Sequence, residues 1–403
     1  MIITFFTYGS YPYGMAMANR LHLYCKALQH KGNDVLVMAP EHLNTSNKVD
    51  EGEYDGVKYK YFKTGKTIHP FIDSCWLLYV YAYQAYVAAK NADVIYVTGG
   101  GYLWLTLVAK AVHMQEKKIV CEMNENPYST ELNRFETHLQ RSVSRFIYNY
   151  LATPRIDGYI SISDNLTAYI NKYAPKSTVI QVPVLTDIEK VKPSSVSKIS
   201  GLYILHAGAL SELKDGVKAM IKAFIFACGE LDLPLKFVFT NKVGNKKLLN
   251  WISTQITRNN LQDRIIFTGK VTSDELASLR NKALLSIVNK PVNNQNTFNF
   301  PTKLAELLAN SVPVIASDFG EMAKYLTKYN AAYMVEPNNI QQISEGIIWI
   351  VNNPELVNKM NERAFELVKN EFYYLNYTDK LHTFFKQLKN EIQTVNFSSS
   401  SGL

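Results

Sequence analysis

Lys303 and Glu306 stand three residues apart in the segment 300–306, whose sequence is Phe-Pro-Thr-Lys-Leu-Ala-Glu. Pro301 is typical of the first turn of a helix, where its missing N–H costs nothing. Thr302 and Lys303 would then lie at the positive end of that helix, beside a bound phosphate. Glu306 falls on nearly the same helix face, where its carboxylate could accept hydrogen bonds from a ribose diol. The segment therefore predicts a nucleotide diphosphate site.

Two glycine-containing loops follow predicted strands and could also approach an anion. The first contains Gly14 and opens a helix. It lacks the GxGxxG pattern, and residues 39–40 are Ala-Pro where an acidic residue would end the second strand, which disfavours a nicotinamide cofactor. The second contains Gly208 and Lys214, and this lysine could neutralise a diphosphate as a point charge. An ordinary strand-to-helix turn and a solvated surface lysine are the alternatives.

Polar residues of the first half are candidates for the acceptor side. Glu122 and Glu125 follow a strand predicted at 118–121. Glu125 could position an acceptor hydroxyl or cap the following turn, and Glu122 could serve instead. Two loop tyrosines could stack on a sugar. The predicted acceptor-binding residues are Tyr11, Tyr13, Glu122 and Asn124.

Short apolar strands alternate with helical stretches along the chain, which is typical of parallel sheets covered by helices on both faces. The strands are predicted at 2–6, 34–38, 94–97, 118–121, 158–162, 202–205, 235–239, 265–267, 284–288 and 312–316. Helices are predicted at 16–30, 71–89 and 132–151 in the first half.

A stretch rich in proline and serine, at 182–197, separates the two runs of strands. We therefore predict two Rossmann-like domains, at 1–190 and 191–370. A C-terminal helix at 371–391 could cross back to the first domain, and 392–403 resembles a linker or tag remnant. Because ligands bind beyond the carboxyl ends of strands in open sheets, we expect the active site in the cleft between the sheets.

The composition limits the classes of partner. The 403 residues are 47% apolar and carry a formal net charge of +8, which favours phosphates or acidic lipid headgroups over a neutral surface. No dense Arg/Lys run with interleaved aromatic residues indicates nucleic acid. The four distant cysteines are typical of reduced, buried thiols in a cytosolic protein, and we expect a cytoplasmic location without a signal peptide. The apolar run at 76–83 is too short to span a bilayer, which needs about 20 residues.

Four lysines near residue 60 alternate with tyrosines and could meet an anionic membrane surface. An exposed edge strand protected by lysines is the alternative that we favour. The lysines are Lys58, Lys60, Lys63 and Lys66.

The donor segments resemble motifs of the retaining glycosyltransferases of family 4, whose GT-B fold has two Rossmann-like domains facing across a cleft. In that family a helix with a glutamate precedes a small-residue turn and a strand with the sequence Pro-Val-Ile-Ala, which Glu306 and residues 313–316 match. Residues 267–271 resemble the loop whose backbone holds the nucleobase, and 208–214 is also similar. Segments resembling the end of the family's first domain lie at 161–164 and 182–187.

Two positions depart from the family pattern. Phe298 stands where the family has a first glutamate that contacts the donor sugar, eight residues before Glu306. Ala209 stands where the family has an arginine that binds the diphosphate together with a lysine. The Phe-Pro-Thr-Lys variant resembles a sub-branch with a Ser/Thr-Lys pair before the helix, so Lys303 is expected to supply the missing charge. Asn299, the backbone or the first domain would then contact the sugar.

The resemblance implies a retaining glycosyltransferase of the hexosyltransferase type, independent of metal and cofactor. The donor would be a nucleoside diphosphate-sugar, with UDP favoured over GDP. The acceptor would be a hydroxyl of a glycan or lipid-linked saccharide in bacterial surface polysaccharide assembly, with the enzyme peripheral at the inner membrane face. Implied catalytic residues are Glu125, Lys214 and Lys303. Implied donor-binding residues are Gly14, Gly208, Lys214, Lys270, Asn299, Thr302, Lys303 and Glu306. The alternatives are a nucleotide-sugar epimerase of the same fold and a carbohydrate-binding relative without activity.

Overall fold

The computed structural model describes residues 1–13, 16–43, 49–65, 70–128, 137–190, 199–208, 210–241 and 243–400, without the side chains of 42, 70–72 and 392–400. Gly14, Lys66 and Ala209 lie outside these residues. The chain divides into two compact units. The first comprises Met1–Leu185 and Tyr374–Leu403, and the second comprises Thr186–Tyr373.

An eight-stranded sheet forms the centre of the first unit. Its strands are β1 (Ile2–Phe6), β2 (Asp34–Pro40), β3 (Glu51–Tyr54), β4 (Val57–Phe62), β5 (Val94–Val97), β6 (Lys118–Met123), β7 (Gly158–Ser161) and β8 (Thr178–Gln181). Their order is β3-β4-β2-β1-β5-β6-β7-β8, and β3 with β4 is the antiparallel pair. The inner strands are buried along nearly their whole length, as the apolar runs predict. The strands β3 and β8 are more exposed and are absent from the prediction.

Five helices connect these strands: α1 (Ala16–Gln29), α2 (Pro70–Asn91), α3 (Tyr102–His113), α4 (His138–Ile147) and α5 (Asp164–Tyr173). None of the helices formed by the described residues is long and apolar enough to cross a membrane.

The strand β4 carries the alternating lysines and tyrosines. Lys58 and Lys60 are exposed while Tyr59 is buried. Across the antiparallel pair, Lys58 lies opposite Glu53 and Lys60 lies opposite Glu51. The glutamates of β3 therefore offset the charge of these lysines, and β3 rather than β4 forms the edge of the sheet.

The second unit has a six-stranded sheet of parallel strands. These are β9 (Tyr203–His206), β10 (Lys236–Phe239), β11 (Ile265–Phe267), β12 (Leu285–Val288), β13 (Val314–Ser317) and β14 (Tyr333–Val335). Their order is β11-β10-β9-β12-β13-β14. This is the doubly wound Rossmann order, in which the chain reverses direction across the sheet between β9 and β12. Ligands of such sheets bind at the carboxyl ends of the strands beside that switch point.

The helices of the second unit cover its sheet and enclose a core that contains Phe224, Phe237 and Phe239. They are α6 (Glu212–Asp215), α7 (Val217–Glu230), α8 (Lys246–Arg258), α9 (Ser273–Asn281), α10 (Asn294–Phe298), α11 (Lys303–Ala309), α12 (Gly320–Tyr329), α13 (Ile340–Asn352) and α14 (Pro354–Leu367).

The last helix, α15 (Thr378–Ser400), packs on the sheet of the first unit and extends past residue 391, where the sequence suggests a linker-like tail. A Cβ atom on Gly158 of β7 would lie 2.6 Å from Leu388 and 2.8 Å from Phe384, so this glycine lets the helix approach the strand. The Nζ atom of Lys389 lies 2.9 Å from the Asp93 carboxylate, which also accepts a hydrogen bond from the Ile2 N–H.

The four cysteines are free thiols. Cys25 and Cys121 are buried and Cys228 is partly buried, but Cys75 is exposed on α2. The prediction that all four thiols are buried is therefore wrong for Cys75.

Candidate functional site

The switch point of the second unit is formed by the residues that follow β9 and β12. His206 ends β9 and is buried, and burial lowers its pKa. Gly208 follows with a positive φ of 130°, a backbone conformation that is largely reserved for glycine. On the other side, Asn289 and Lys290 follow β12. The predicted loop that contains Gly208 therefore lies at a strand end where a Rossmann sheet binds ligands, beside the loop that follows β12.

The ammonium group of Lys303 lies directly against Gly208. Its Nζ atom donates a hydrogen bond to the carbonyl oxygen of Ala207. A Cβ atom added to Gly208 would lie only 1.8 Å from this Nζ atom. The glycine thus provides the space that the lysine occupies. Burial lowers the pKa of Lys303, while the nearby carboxylates of Asp215 and Glu306 act in the opposite direction.

Two carboxylates near Lys303 are each paired with another cation. Asp215 lies 2.8 Å from the Nζ atom of Lys290, and Glu306 lies 2.8 Å from the guanidinium group of Arg280. Burial raises the pKa of Asp215, but Lys290 and His206 oppose this and hold its pKa below the usual value. Arg280 and Lys290 are not among the site residues that the sequence predicts. In the sequence, each of them is only a cationic residue shortly before or after a strand of this sheet. That pattern is too common to identify a site residue.

The turn that carries Lys214 is fixed by asparagine side chains. The amide of Asn289 donates to the carbonyl oxygen of Asp215 at 3.1 Å, and the amide of Asn296 donates to that of Lys214 at 3.2 Å. Gly216 ends the turn with φ of 55°, and a Cβ atom there would lie 2.3 Å from the Asn289 amide nitrogen. The backbone of Lys214 is therefore held beside Asp215, while its side chain remains partly exposed.

The segment before α11 is anchored by an aromatic side chain. Phe300 is buried and stacks on Tyr325, with ring centroids 5.5 Å apart. Asn299 and Thr302 on either side are partly buried, and Thr302 is the residue that precedes α11. Phe298 ends α10 and is also partly buried. Lys270 is exposed on the loop after β11.

In the first unit, Glu122 is buried within a network of its own. One carboxylate oxygen accepts hydrogen bonds from Arg20 and from the Tyr24 hydroxyl, at 3.1 Å for Tyr24, and the other accepts from the Tyr96 hydroxyl at 2.8 Å. Arg20 is also buried and donates to the carbonyl oxygens of Val182 and Pro183. These contacts make Glu122 a structural residue, a role that is not predicted from the sequence.

Glu122→Ala is expected to destabilise the first unit by about 3–5 kcal/mol, because it leaves the Arg20 guanidinium buried without its carboxylate. Urea unfolding followed by circular dichroism measures this loss. The matched control is Glu125→Ala, which removes a partly exposed carboxylate three residues away and should cost much less. Equal stability of the two variants would show that Glu122 does not support the fold.

The predicted acceptor residues occupy different environments. Tyr11 is fully buried, and its hydroxyl lies 2.8 Å from His22 Nδ1, so its ring faces the interior rather than a ligand. Tyr13 is 70% exposed and packs edge-on against Tyr54. Asn124 and Glu125 are partly exposed at the end of β6.

A cavity of about 520 Å³ opens at the switch point of the first sheet, between the ends of β1 and β5. Its lining includes Tyr8 after β1, Gly100 after β5, and Asn124 and Glu125 after β6. The structure therefore brings Asn124, Glu125 and Glu122 together in the lining of one cavity. Tyr11 and Tyr13 do not line it.

Comparison with known proteins supports the prediction for the second unit. Residues 187–367 match the family model of glycosyl transferases group 1. An uncharacterized glycosyltransferase of Methanocaldococcus jannaschii is 28% identical over 149 residues, which cover 37% of this chain and 39% of that protein. The chain thus matches well under half the length of this relative.

Solved structures resemble the whole fold. Sucrose-phosphate synthase of Thermosynechococcus elongatus has a TM-score of 0.72 at 16% identity, covering 96% of this chain and 98% of that chain. HepE of Anabaena in complex with UDP has a TM-score of 0.67 at 16% identity, covering 98% and 100%. The predicted arrangement of two parallel-sheet domains is confirmed, and the prediction of a transferase agrees with the matched domain. The chain therefore has the GT-B fold, and residues 187–367 of it are similar to the glycosyl transferases group 1 family.

Proposed function

We propose that the chain transfers a hexose from a nucleoside diphosphate-sugar to a hydroxyl of a glycan or lipid-linked saccharide, with retention of configuration. The observation that carries the proposal is the Lys303 ammonium group, held against Gly208 at the Rossmann switch point of the second sheet. Anionic ligands are favoured there because the nearby carboxylates are paired with Lys290 and Arg280. Lys303 can therefore act on the ligand rather than on a protein carboxylate.

The charges at the site suit a diphosphate. Lys303, Lys290 and Arg280 lie near Asp215 and Glu306, and Lys214 precedes Asp215 on the same turn. The three cations around the Lys303 position against these two carboxylates leave an excess of positive charge. We infer that Lys303 and Lys214 stabilise the leaving diphosphate. Glu306, oriented by Arg280, would accept hydrogen bonds from the ribose hydroxyls through its free lone pairs.

The remaining donor contacts are assigned by position. Thr302 is next to Lys303 in the chain and Gly208 lies against its ammonium group, so both would lie beside the phosphate. Lys270, on the loop after β11, would lie towards the base. Asn299 would contact the sugar in place of the glutamate that Phe298 replaces. UDP is the favoured nucleotide, and the complexes of Anabaena HepE with UDP and with UDP-glucose lend support to that choice.

The mechanism that we propose is a front-side substitution. The bond between the anomeric carbon and the diphosphate oxygen breaks, and the acceptor oxygen bonds to the same face of that carbon. The acceptor proton passes to the departing diphosphate, so that no separate base is needed. Glu125, at the cavity of the first unit, would position the acceptor hydroxyl. A role in bacterial surface polysaccharide assembly at a membrane is part of the same proposal.

Incubation with a panel of UDP- and GDP-sugars tests the reaction class. We expect slow release of the nucleotide without an acceptor and faster release with a suitable saccharide. Conversion of one nucleotide-sugar into another would instead indicate an epimerase, and binding without turnover would indicate a relative without activity. An epimerase is disfavoured by the histidines, because His206 is buried and His113 contacts Asp157 at 2.9 Å.

A further inference from the structure

Asn289, the residue directly after β12, is the centre of a polar network in the second unit and is only 1% exposed. Its amide group donates hydrogen bonds to the carbonyl oxygens of Asp215 at 3.1 Å and Gly216 at 3.3 Å. Its amide oxygen accepts hydrogen bonds from the Ser317 hydroxyl at 3.1 Å and the Asn338 N–H at 2.9 Å. These five residues form the Asn289 network, which joins the turn of α6 to the carboxyl end of β13 and the loop after β14.

Asn338 completes the network from the loop after β14. Its side-chain oxygen accepts a hydrogen bond from the Asn289 amide at 2.8 Å, while its own N–H donates to the Asn289 oxygen. Protein partners therefore use both amide hydrogens and both oxygen lone pairs of Asn289. A buried polar side chain whose groups are all satisfied holds its neighbours in one arrangement. Asn289 can thus influence a ligand only through the residues that it holds.

The turn of α6 depends on these contacts because it has little stability of its own. The helix has four residues, Glu212–Asp215, and a helix this short is unstable without tertiary contacts. Gly216 ends it in the left-handed conformation, with φ of 55°. A Cβ atom on Gly216 would lie 2.1 Å from the Asn338 side-chain oxygen and 2.3 Å from the Asn289 amide nitrogen. The backbone of the turn therefore lies directly against both asparagine side chains, which fix its position.

The same network places charged groups of the proposed diphosphate site. Asp215 is held through its carbonyl oxygen, and Lys214 precedes it in the turn. Lys290 is the next residue after the central asparagine, and its N–H donates to the Ser317 hydroxyl at 2.8 Å. The Nζ atom of Lys290 in turn lies 2.8 Å from the Asp215 carboxylate. Both of these groups lie close enough to interact electrostatically with Lys303.

We propose that Asn289 is a positioning residue of the donor site, which together with Asn338 holds the 214–216 turn and Lys290 at a fixed place relative to Lys303. The cationic groups are then preorganised around one position, where a bound diphosphate interacts with all of them. This inference rests on the proposed function, because the diphosphate is the part of the donor whose affinity depends on that arrangement. A nucleoside without phosphates does not depend on it.

The ratio of the affinities of the full chain for UDP and for uridine measures the contribution of the diphosphate. Partial unfolding reduces the binding-competent fraction equally for both ligands, so a general loss of structure leaves this ratio unchanged. We expect Asn289→Ala to lower the ratio about tenfold, because the hydrogen bonds that hold the turn are lost. Calorimetric titration with each ligand gives the two affinities. A wild-type ratio in Asn289→Ala would overturn the proposal.

Two exposed asparagines at opposite ends of β14 provide a matched pair of variants. Asn338 follows this strand and Asn330 precedes it, and their φ angles are 61° and 49°. Glycine adopts such a backbone readily, so both substitutions should fold. Asn338→Gly removes an acceptor of the Asn289 amide and should lower the affinity ratio about threefold. Asn330→Gly makes the same change outside the network and should keep the wild-type ratio. Equal ratios in the two variants would contradict the proposal.

A conservative variant restores the hydrogen bond that Asn338→Gly removes. Asn338→Asp keeps an oxygen that can accept from the Asn289 amide. The titrations use about 0.15 M salt, at which the charge of an exposed side chain is screened over about 8 Å. The affinity ratio of Asn338→Asp should therefore return towards the wild-type value. The same loss in Asn338→Asp as in Asn338→Gly would overturn the role of this hydrogen bond.

The results separate the positioning role from the proposed function. Equal affinities of the wild-type chain for UDP and uridine would refute the diphosphate site, and the positioning role with it. A high wild-type ratio that Asn289→Ala and Asn338→Gly both retain would refute the positioning role and keep the diphosphate site.

Discussion

Lys303→Met is expected to lower kcat/KM for the nucleotide-sugar by about 10²–10³-fold, because it removes a preorganised positive charge from the leaving diphosphate. The apolar stem of methionine preserves most of the side chain volume, so the sheet should remain intact. Lys247→Met is the matched control, since Lys247 is an exposed lysine on α8 of the same unit. Its kcat/KM should stay within twofold of the wild type, measured as nucleotide release.

The pH dependence of donor binding gives a second readout on the same residue. Burial holds the pKa of Lys303 below that of a free lysine, and the charged form is the one that attracts a diphosphate. Affinity for UDP should therefore fall as the pH rises towards that lowered pKa, and be retained below it. The Lys303→Met variant should lack this alkaline fall. Equal pH profiles for variant and wild type would remove Lys303 from the diphosphate site.

Gly208→Ala is expected to weaken donor binding about as strongly as the loss of Lys303, because the new methyl group would occupy the position of the Lys303 ammonium. Its φ of 130° adds backbone strain. Gly201→Ala is the matched control. Gly201 also has a positive φ, of 82°, but a Cβ atom there meets nothing within 4 Å. Both variants should lose stability through the backbone, and Gly208→Ala alone should lose UDP affinity, measured by calorimetry.

A double-mutant cycle separates the steric effect from a general loss of structure. Lys303→Ala removes the atoms that the Gly208→Ala methyl group would meet. The double variant should therefore bind UDP no more weakly than Lys303→Ala alone. Additive losses would mean that Gly208 acts on the ligand independently of Lys303.

The sequence predicts the elements that are buried on both sides. Strands such as β1 and β5 are mainly apolar runs, and their length and position follow directly from that pattern. The strands β3 and β8 are not predicted, because they are short, mixed in polarity and partly or fully exposed. They form strands because they pair with the neighbouring strands β4 and β7, and their composition alone does not indicate this.

The donor-binding segment could be predicted because its residues are neighbours in the sequence. The ion-pair partners of the site could not be predicted in this way. Lys303 and Glu306 stand three residues apart, so one helix turn relates them. Arg280 pairs with Glu306 from another helix, and Lys290 pairs with Asp215 across 75 positions of the chain. Such pairs depend on the order of strands in the sheet, which one sequence does not reveal.

On the acceptor side, contacts between residues that are distant in the sequence change the predicted roles even more. Glu122 follows a strand, as a catalytic carboxylate often does, but Arg20 meets it from 102 positions away and makes it structural. Tyr11 lies in a loop, where exposure is the usual expectation, but His22 and Tyr59 enclose its ring. The cavity that contains Glu125 depends on three separate strand ends.

The central claim is that the second unit binds a diphosphate through Lys303. Calorimetric titration of the wild-type chain with UDP and with uridine, at neutral pH, tests it most directly because the two ligands differ only in the diphosphate. We expect UDP to bind at least about 10²-fold more tightly than uridine, and Lys303→Met to remove most of that difference. Equal affinities of UDP and uridine for the wild-type chain would contradict it.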